Sequence, residues 1–99
     1  MDLNSQQIHQ DFHVLKNSLG LSQKIIDKAK YVIRHAIEKG LVRGRAHTTI
    51  VAAAVYIACR ETENPRPLHD IATIANVKRK ILAKYCRMCR CCIDTLHLL

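Results

Sequence analysis

Apolar residues recur along this 99-residue chain at the three- and four-residue spacing that is typical of amphipathic helices. The first such stretch covers about residues 4–18 and ends at Gly20, and the second begins with Ser22 as its N-cap and ends at Lys39-Gly40. We expect each helix to bury one apolar stripe. The two stripes are Ile8, Phe12, Leu15 and Leu19, and then Ile25, Ala29, Val32, Ile33, Ala36 and Ile37.

The third predicted helix, from about His47 to Arg60, has a different pattern. Its residues 50–59 are apolar or small on every side of the helix, with Tyr56 as the largest side chain. A helix that is apolar all round is stable only when other elements surround it. The sequence therefore predicts that this helix is the central, buried element of the fold.

The segment Asn64-Pro65-Arg66-Pro67 must interrupt the chain, because proline lacks an N–H group and restricts the residue before it. A short helix is predicted over Leu68–Ala75, then a turn at Asn76-Val77, then a last helix from about Lys78 to Leu96. A short helix, a tight turn and a longer basic helix in this order are typical of a helix-turn-helix and also of purely structural helix pairs. The pattern as a whole predicts an all-α fold of five helices in a single domain over residues 1–99.

The last helix has two faces. With Leu82 at the centre of one face, a rotation of about 100° per residue places Cys86, Cys89, Ile93 and Leu96 nearby. The opposite side carries Lys80, Lys84, Arg87 and Cys91. The cluster Cys86-x-x-Cys89-x-Cys91-Cys92 suggests a metal site, but one straight helix cannot surround an ion with four thiolates. We expect these cysteines to pack as small apolar side chains, with no metal or cofactor; a metal or redox role is the alternative.

The net charge of +8 is concentrated in two parts of the chain. Residues 28–60 carry seven cations and one acid, and residues 78–99 carry six cations and one acid. Clustered cations favour phosphate binding, because each neutralised phosphate releases condensed counterions. The same clusters are also compatible with a solvated surface that serves only solubility.

Several other classes of protein are disfavoured. No stretch of about 18 apolar residues is present to cross a membrane, and the N-terminal residues lack the features of a signal peptide. An odd number of cysteines, five, fits a reduced intracellular protein better than a disulfide framework. The six histidines are scattered, and no phosphate loop or nucleophile elbow occurs. We therefore expect a soluble intracellular protein that is not an enzyme.

Three segments carry a family resemblance: Leu41-Val42-Arg43-Gly44-Arg45-Ala46, Ala52-Ala53-Ala54-Val55-Tyr56-Ile57-Ala58-Cys59-Arg60 and Pro65-Arg66-x-Leu68-x-Asp70-Ile71-Ala72. Together they are similar to the first cyclin-like repeat of transcription factor IIB and of its archaeal counterpart, transcription factor B. The similarity extends over about residues 10–96. Neither a zinc ribbon nor a second repeat is present, so we expect a fragment or a minimal relative.

The resemblance implies a role in transcription initiation, with promoter DNA, the TATA-binding protein and RNA polymerase as partners. It assigns contacts with the DNA backbone to Arg43, Gly44, Arg45 and Ala46 in the turn. It places Lys78, Arg79, Lys80 and Lys84, at the start of the last helix, against DNA or partner proteins. Arg87 is added from the cationic face of that helix. It also implies a monomer located in a nucleus or, for an archaeal source, in the cytoplasm or nucleoid. A cyclin-like protein-interaction module without DNA contact is the alternative.

Five residues depart from the family pattern or have a structural interpretation. Ile81 stands where the family commonly has an acid, which makes the start of the last helix more basic. We expect Arg60 and Arg66, which stand at the ends of a helix and of a turn, to donate to free carbonyls rather than to bind DNA. Tyr31 and Tyr56 are expected to pack in the core or at its rim.

Overall fold

The computed structural model describes residues 5–62 and 64–97, with side chains described for 6–62 and 64–89. Within these ranges the chain forms five helices and no strand. They are α1 (Ser5–Leu19), α2 (Gln23–Glu38), α3 (His47–Glu61), α4 (Leu68–Ala75) and α5 (Arg79–His97). The predicted all-α fold of five helices is confirmed.

Helix α3 occupies the centre of the structure and packs against α1, α2, α4 and α5. Its residues from Thr49 to Val55 and from Ile57 to Cys59 are all buried, as the apolar pattern predicted. Four of them are alanines, whose small side chains allow neighbouring helices to approach closely. The core is therefore arranged around one rod rather than between two layers.

Helices α1 and α2 begin and end where the sequence predicted. Gly20 has a positive φ of 65° after α1, and the hydroxyl of Ser22 accepts a hydrogen bond of 3.4 Å from the backbone N–H of Ile25. The predicted stripe of α2 is buried except at Ile37, which is 49% exposed. The prediction that Ile37 is buried was therefore wrong, because no neighbouring helix among the described residues covers the last turn of α2 at this side chain.

A polar contact joins α1 to the start of α3. The Nδ1 atom of His47 lies 2.6 Å from a carboxylate oxygen of Asp11, whose side chain is 16% exposed. Hydrogen bonds to a charged group are stronger than neutral ones. The contact therefore fixes the N-terminal end of α3 directly after the Arg-Gly-Arg turn.

Helices α4 and α5 pack against α3 and against each other. The turn between them is made by Asn76, which has the left-handed conformation with φ 58° and ψ 47°, and by a hydrogen bond of 2.9 Å from Val77 N–H to the Ala72 carbonyl. Leu82, Cys86 and Cys89 are buried on the inner face of α5, as predicted. The side chains of Cys91, Cys92, Ile93 and Leu96 lie outside the described residues.

Candidate nucleic-acid interface

The Arg-Gly-Arg turn lies between α2 and α3. The backbone N–H of Arg45 donates to the carbonyl of Val42 at 3.2 Å, and Gly44 has a φ of 68°. A Cβ on Gly44 would meet no atom within 4 Å, so the backbone conformation rather than lack of space favours glycine here. Ala46 is exposed at the N-cap of α3. The turn thus presents Arg43 and Gly44 to solvent next to the start of the central helix.

Arg45 connects this turn to α5. Its guanidinium carbon lies 5.1 Å from the centre of the Tyr85 ring, and its Nη2 atom lies 3.6 Å from the sulfur of Met88. Residues 45 and 88 are 43 positions apart in the sequence. The side chain of Arg45 is half-buried by these contacts, whereas Arg43 is exposed. Arg45 therefore holds the turn against the last helix.

Tyr85 is completely buried, and its hydroxyl has no hydrogen-bond partner that meets normal geometry among the described residues. Burial raises the pKa of the Tyr85 phenol, the neighbouring Cys89 raises it further, and Arg45 lowers it. The phenol is therefore neutral at pH 7. Its contact with Arg45 is a cation–π contact with the ring face and not an ion pair.

Exposed cations continue from this contact along α5. Lys80, Lys84 and Met88 follow one another at intervals of four residues, which places them in one line on a helix. Arg87, three residues after Lys84, lies beside that line. Because Arg45 contacts Met88, the turn and the cationic face of α5 form one surface. The structure therefore places the predicted site residues of the turn next to those of α5.

The N-terminal end of α5 adds further positive charge. Lys78 and Arg79 are exposed, but they lie on other sides of the helix from the line formed by Lys80 and Lys84. The first turn of α5 contains no acidic residue. Ile81, at the position where the resemblance suggests an acid, is 46% exposed. Lys78 and Arg79 are therefore at the edge of the surface, not at its centre.

A second cationic region lies at the other end of α3. Tyr56, Arg60, Pro65 and Arg66 line an open cleft of about 400 Å³. Arg60 donates to the hydroxyl of Tyr56 at 3.1 Å and stacks near its ring. Neither Arg60 nor Arg66 donates to a backbone carbonyl within the described part of the chain, so our expectation for these two residues was wrong. The carbonyls at the end of α3 accept instead from Thr62.

Two aromatic residues were assigned incorrectly or missed. Tyr31 is 48% exposed on α2 and contacts Lys28 and His35, so it is not a core residue. Tyr85 was missed as part of the interface. Its position three residues after Leu82 is compatible with a buried side chain, but no sequence signal connects it to Arg45.

The described side chains contain no group of three or more His, Cys, Asp or Glu that could hold a metal ion. Cys59, Cys86 and Cys89 are buried thiols, and burial raises the pKa of Cys59, although Arg66 lowers it. The part of the cluster formed by Cys91 and Cys92 lies outside the described side chains. Among the described residues, no helix has the length and apolar character needed to cross a membrane.

Comparison with known proteins gives a consistent set of relatives. The family model described as the transcription factor TFIIB repeat matches residues 2–90. The chain is similar to the transcription initiation factor IIB of Saccharolobus shibatae, with 39% identity over 88 residues, 89% of this chain and 29% of the relative. Those of Ignicoccus hospitalis and Pyrodictium occultum are 40% and 41% identical, again over 89% of this chain and 28% of the relative. The chain spans less than a third of the length of these relatives.

Proposed function

The chain belongs to the transcription factor TFIIB repeat family, and we propose that it works in transcription initiation by binding the backbone of promoter DNA together with a protein partner. The single observation that carries the DNA-binding part is the contact of Arg45 with Tyr85 and Met88. Through it, the exposed Arg43 and the exposed Lys80, Lys84 and Arg87 belong to one surface.

We propose that this surface binds phosphates rather than base edges. Its side chains are cations, and it lacks the Asn and Gln residues that pair with adenine. Backbone contacts position a protein on a duplex without reading its sequence. We therefore propose that this repeat positions a larger assembly on DNA and that the promoter element is recognised elsewhere.

The proposed protein partners are the TATA-binding protein and RNA polymerase. The cleft formed by Tyr56, Arg60, Pro65 and Arg66 supports a protein contact, because no described carboxylate pairs with either arginine. Unpaired guanidinium groups around an open cleft suit carboxylates on a partner's surface. We propose that the two cationic regions have different partners: the turn and α5 bind DNA, and this cleft binds a protein.

The proposal includes no catalytic step and no cofactor. A monomeric repeat would act in the archaeal cytoplasm or nucleoid, or in a nucleus, wherever its promoter lies. The competing function is a cyclin-like protein-interaction module without DNA contact. The exposed cations of α5 and the absence of an acid from its first turn favour DNA, because a protein-holding module needs no such phosphate-binding surface.

A salt titration tests the DNA-binding part. Alone, the repeat should bind a duplex of about 20 base pairs with a Kd of about 10⁻⁴–10⁻⁶ M at physiological salt and with little sequence preference. The slope of log K against log salt is negative, and Arg43→Ala and Lys84→Ala should each reduce its magnitude by about one, equally for all duplexes. The control Lys30→Ala removes an exposed cation from the α1 side of α2 and should leave that slope unchanged.

A second titration tests the protein partner. Affinity should rise when the TATA-binding protein has already bent the DNA, because the repeat then does not supply the bending energy. Arg60→Glu should remove this gain while leaving binding to free duplex within about threefold. If Arg43→Ala and Lys84→Ala leave affinity and salt slope unchanged in a folded protein, the DNA proposal is wrong and the protein-interaction module becomes the better explanation.

A further inference from the structure

We propose that Tyr85 is a positioning residue of the DNA-binding surface: its buried ring holds the guanidinium of Arg45 at the edge of α5, oriented to meet a phosphate beside Lys84. This inference rests on the proposed function. It assigns a role to a core residue that neither the family resemblance nor the charge pattern identifies.

The geometry of Arg45 is the first argument. A guanidinium can stack through its flat face and donate hydrogen bonds from its edge at the same time. Arg45 lies with its guanidinium carbon 5.1 Å from the Tyr85 ring centre and directs one nitrogen to the Met88 sulfur, which is a weak acceptor. Its other N–H groups form no ion pair and no other hydrogen bond within the described part of the chain. They are therefore available to phosphate oxygens.

The rigidity of the contact is the second argument. A free arginine side chain on the surface loses rotational freedom when it binds, and this loss weakens binding. Tyr85 is completely enclosed by the core, so its ring cannot follow a moving side chain. An arginine that is already stacked on a fixed ring has lost most of that freedom before DNA arrives.

The chemistry of Tyr85 is the third argument. Its hydroxyl forms no hydrogen bond of normal geometry within the described part of the chain, and its polar neighbour there is the Cys89 thiol, a weak hydrogen-bonding group. Phenylalanine would keep the ring face and nearly all of the volume, whereas leucine would keep the site apolar but leave a cavity and offer a cation no aromatic face. The ring, rather than the hydroxyl or the bulk, is therefore the functional part.

The test compares Tyr85→Phe, Tyr85→Leu, Arg45→Gln and the double variant Tyr85→Leu/Arg45→Gln in duplex binding over a salt series. Tyr85→Phe should stay within about twofold of the original protein. Tyr85→Leu should weaken binding by about threefold to tenfold and lower the salt slope by about one, although it removes no charge. In the Arg45→Gln background, Tyr85→Leu should have no further effect on binding.

Two outcomes would overturn the inference. One is a Tyr85→Leu protein that folds and keeps the original salt slope, and the other is an equal loss of affinity from Tyr85→Leu with and without Arg45. In both cases Tyr85 serves only core packing. The proposed function fails separately, if the unaltered repeat shows no salt-dependent affinity for DNA.

A measurement on the unaltered protein covers the case in which Tyr85→Leu does not fold. The Arg45 Nε–H signal should be shifted upfield by the Tyr85 ring current in free solution, should keep that shift in Tyr85→Phe, and should keep it when duplex DNA is added. An unshifted signal in the free protein would contradict the inference. So would a signal that loses its upfield shift on binding, because Arg45 would then leave the ring to reach DNA.

Discussion

At the scale of single residues, two of the weak acids in the core have no exposed surface and a raised pKa. Cys59 and Tyr85 have no exposed surface, and burial raises the pKa of both groups above their ordinary values of 9.0 and 10.0. The folded protein therefore retains protons that an unfolded chain would release in alkaline solution. The two residues make folding stability sensitive to high pH.

We predict that the free energy of unfolding is unaffected by these two groups below pH 9 and falls as the pH rises above it. Each proton held only by the folded state contributes a slope of up to about 1.4 kcal/mol per pH unit. Tyr85→Phe should reduce the loss above pH 10, whereas Tyr31→Phe, at an exposed position, should not. Urea unfolding at a series of pH values measures this, and an identical decline in all three proteins would contradict it.

Asn76 is the one described non-glycine residue with a positive φ. It ends α4 and directs the chain into α5, which carries the cationic face. We predict that Asn76→Val costs about 1–2 kcal/mol of stability, because a β-branched residue disfavours the left-handed conformation. Asn76→Gly should be neutral or stabilising, since glycine adopts this conformation freely. Thermal unfolding of the two variants decides this, and similar losses in both would show that the Asn76 side chain itself matters.

Individual residues were the part of the structure that sequence reasoning predicted least well. The spacing of Ile37 predicts burial and the aromatic ring of Tyr31 predicts a place in the core or at its rim, yet about half of each side chain is exposed. Spacing shows which side of a helix a residue occupies, but not whether a neighbouring helix extends far enough to cover it. Spacing also does not show which distant residues meet, and Tyr85 is an example because its partner Arg45 lies in the turn between α2 and α3.

At the scale of helices, α3 is the element on which packing depends most. Ala53 is 1% exposed at a point where α3 is surrounded by its neighbours. We predict that Ala53→Leu overpacks this crossing and costs about 1–3 kcal/mol. Chemical denaturation should show this loss. Arg34→Leu, which places leucine on the exposed face of α2, should stay within about 0.5 kcal/mol.

Hydrogen exchange gives an independent check of the same feature. Amides around Ala53 should exchange more slowly than those of α1, because they can exchange only when the surrounding helices open. Equal exchange rates in α1 and α3 would contradict the central position of α3.

The helices themselves were predicted closely. Each predicted boundary lies within about one residue of the structure, which is the usual uncertainty of helix ends. Gly20, Ser22 and the Asn64–Pro67 segment are local signals whose effect on the backbone does not depend on distant contacts. The position of a helix within the fold was predictable only for α3, because a helix that is apolar on all sides must lie at the centre, surrounded by other helices.

For the molecule as a whole, we predict that folding does not require a metal. The described side chains offer no group of three metal ligands, and Cys86 and Cys89 are buried in the core. A chelator should therefore leave the midpoint of thermal unfolding unchanged. Stoichiometric zinc or iron in the purified protein, with unfolding when it is removed, would make the cysteine cluster a metal site instead.

The joining of the turn to α5 is also a property of the whole molecule. The sequence contained both groups of cations, but charge and periodicity do not show which surfaces lie side by side. Arg45 and Met88 meet because α3 places the end of the α2–α3 connection beside α5. Only the family resemblance linked the two groups before the structure was known.

The central position of α3 has a consequence for how this fold can diverge. Because α1, α2, α4 and α5 all pack against one small-residue rod, most of their exposed positions take no part in holding them in place; Arg45 on the Tyr85 ring is the exception. Substitutions at such positions, for example at the exposed Ile81 on α5, need little compensation inside. Repeats of this architecture can therefore exchange one set of partners for another while the same alanine-rich helix continues to specify the fold.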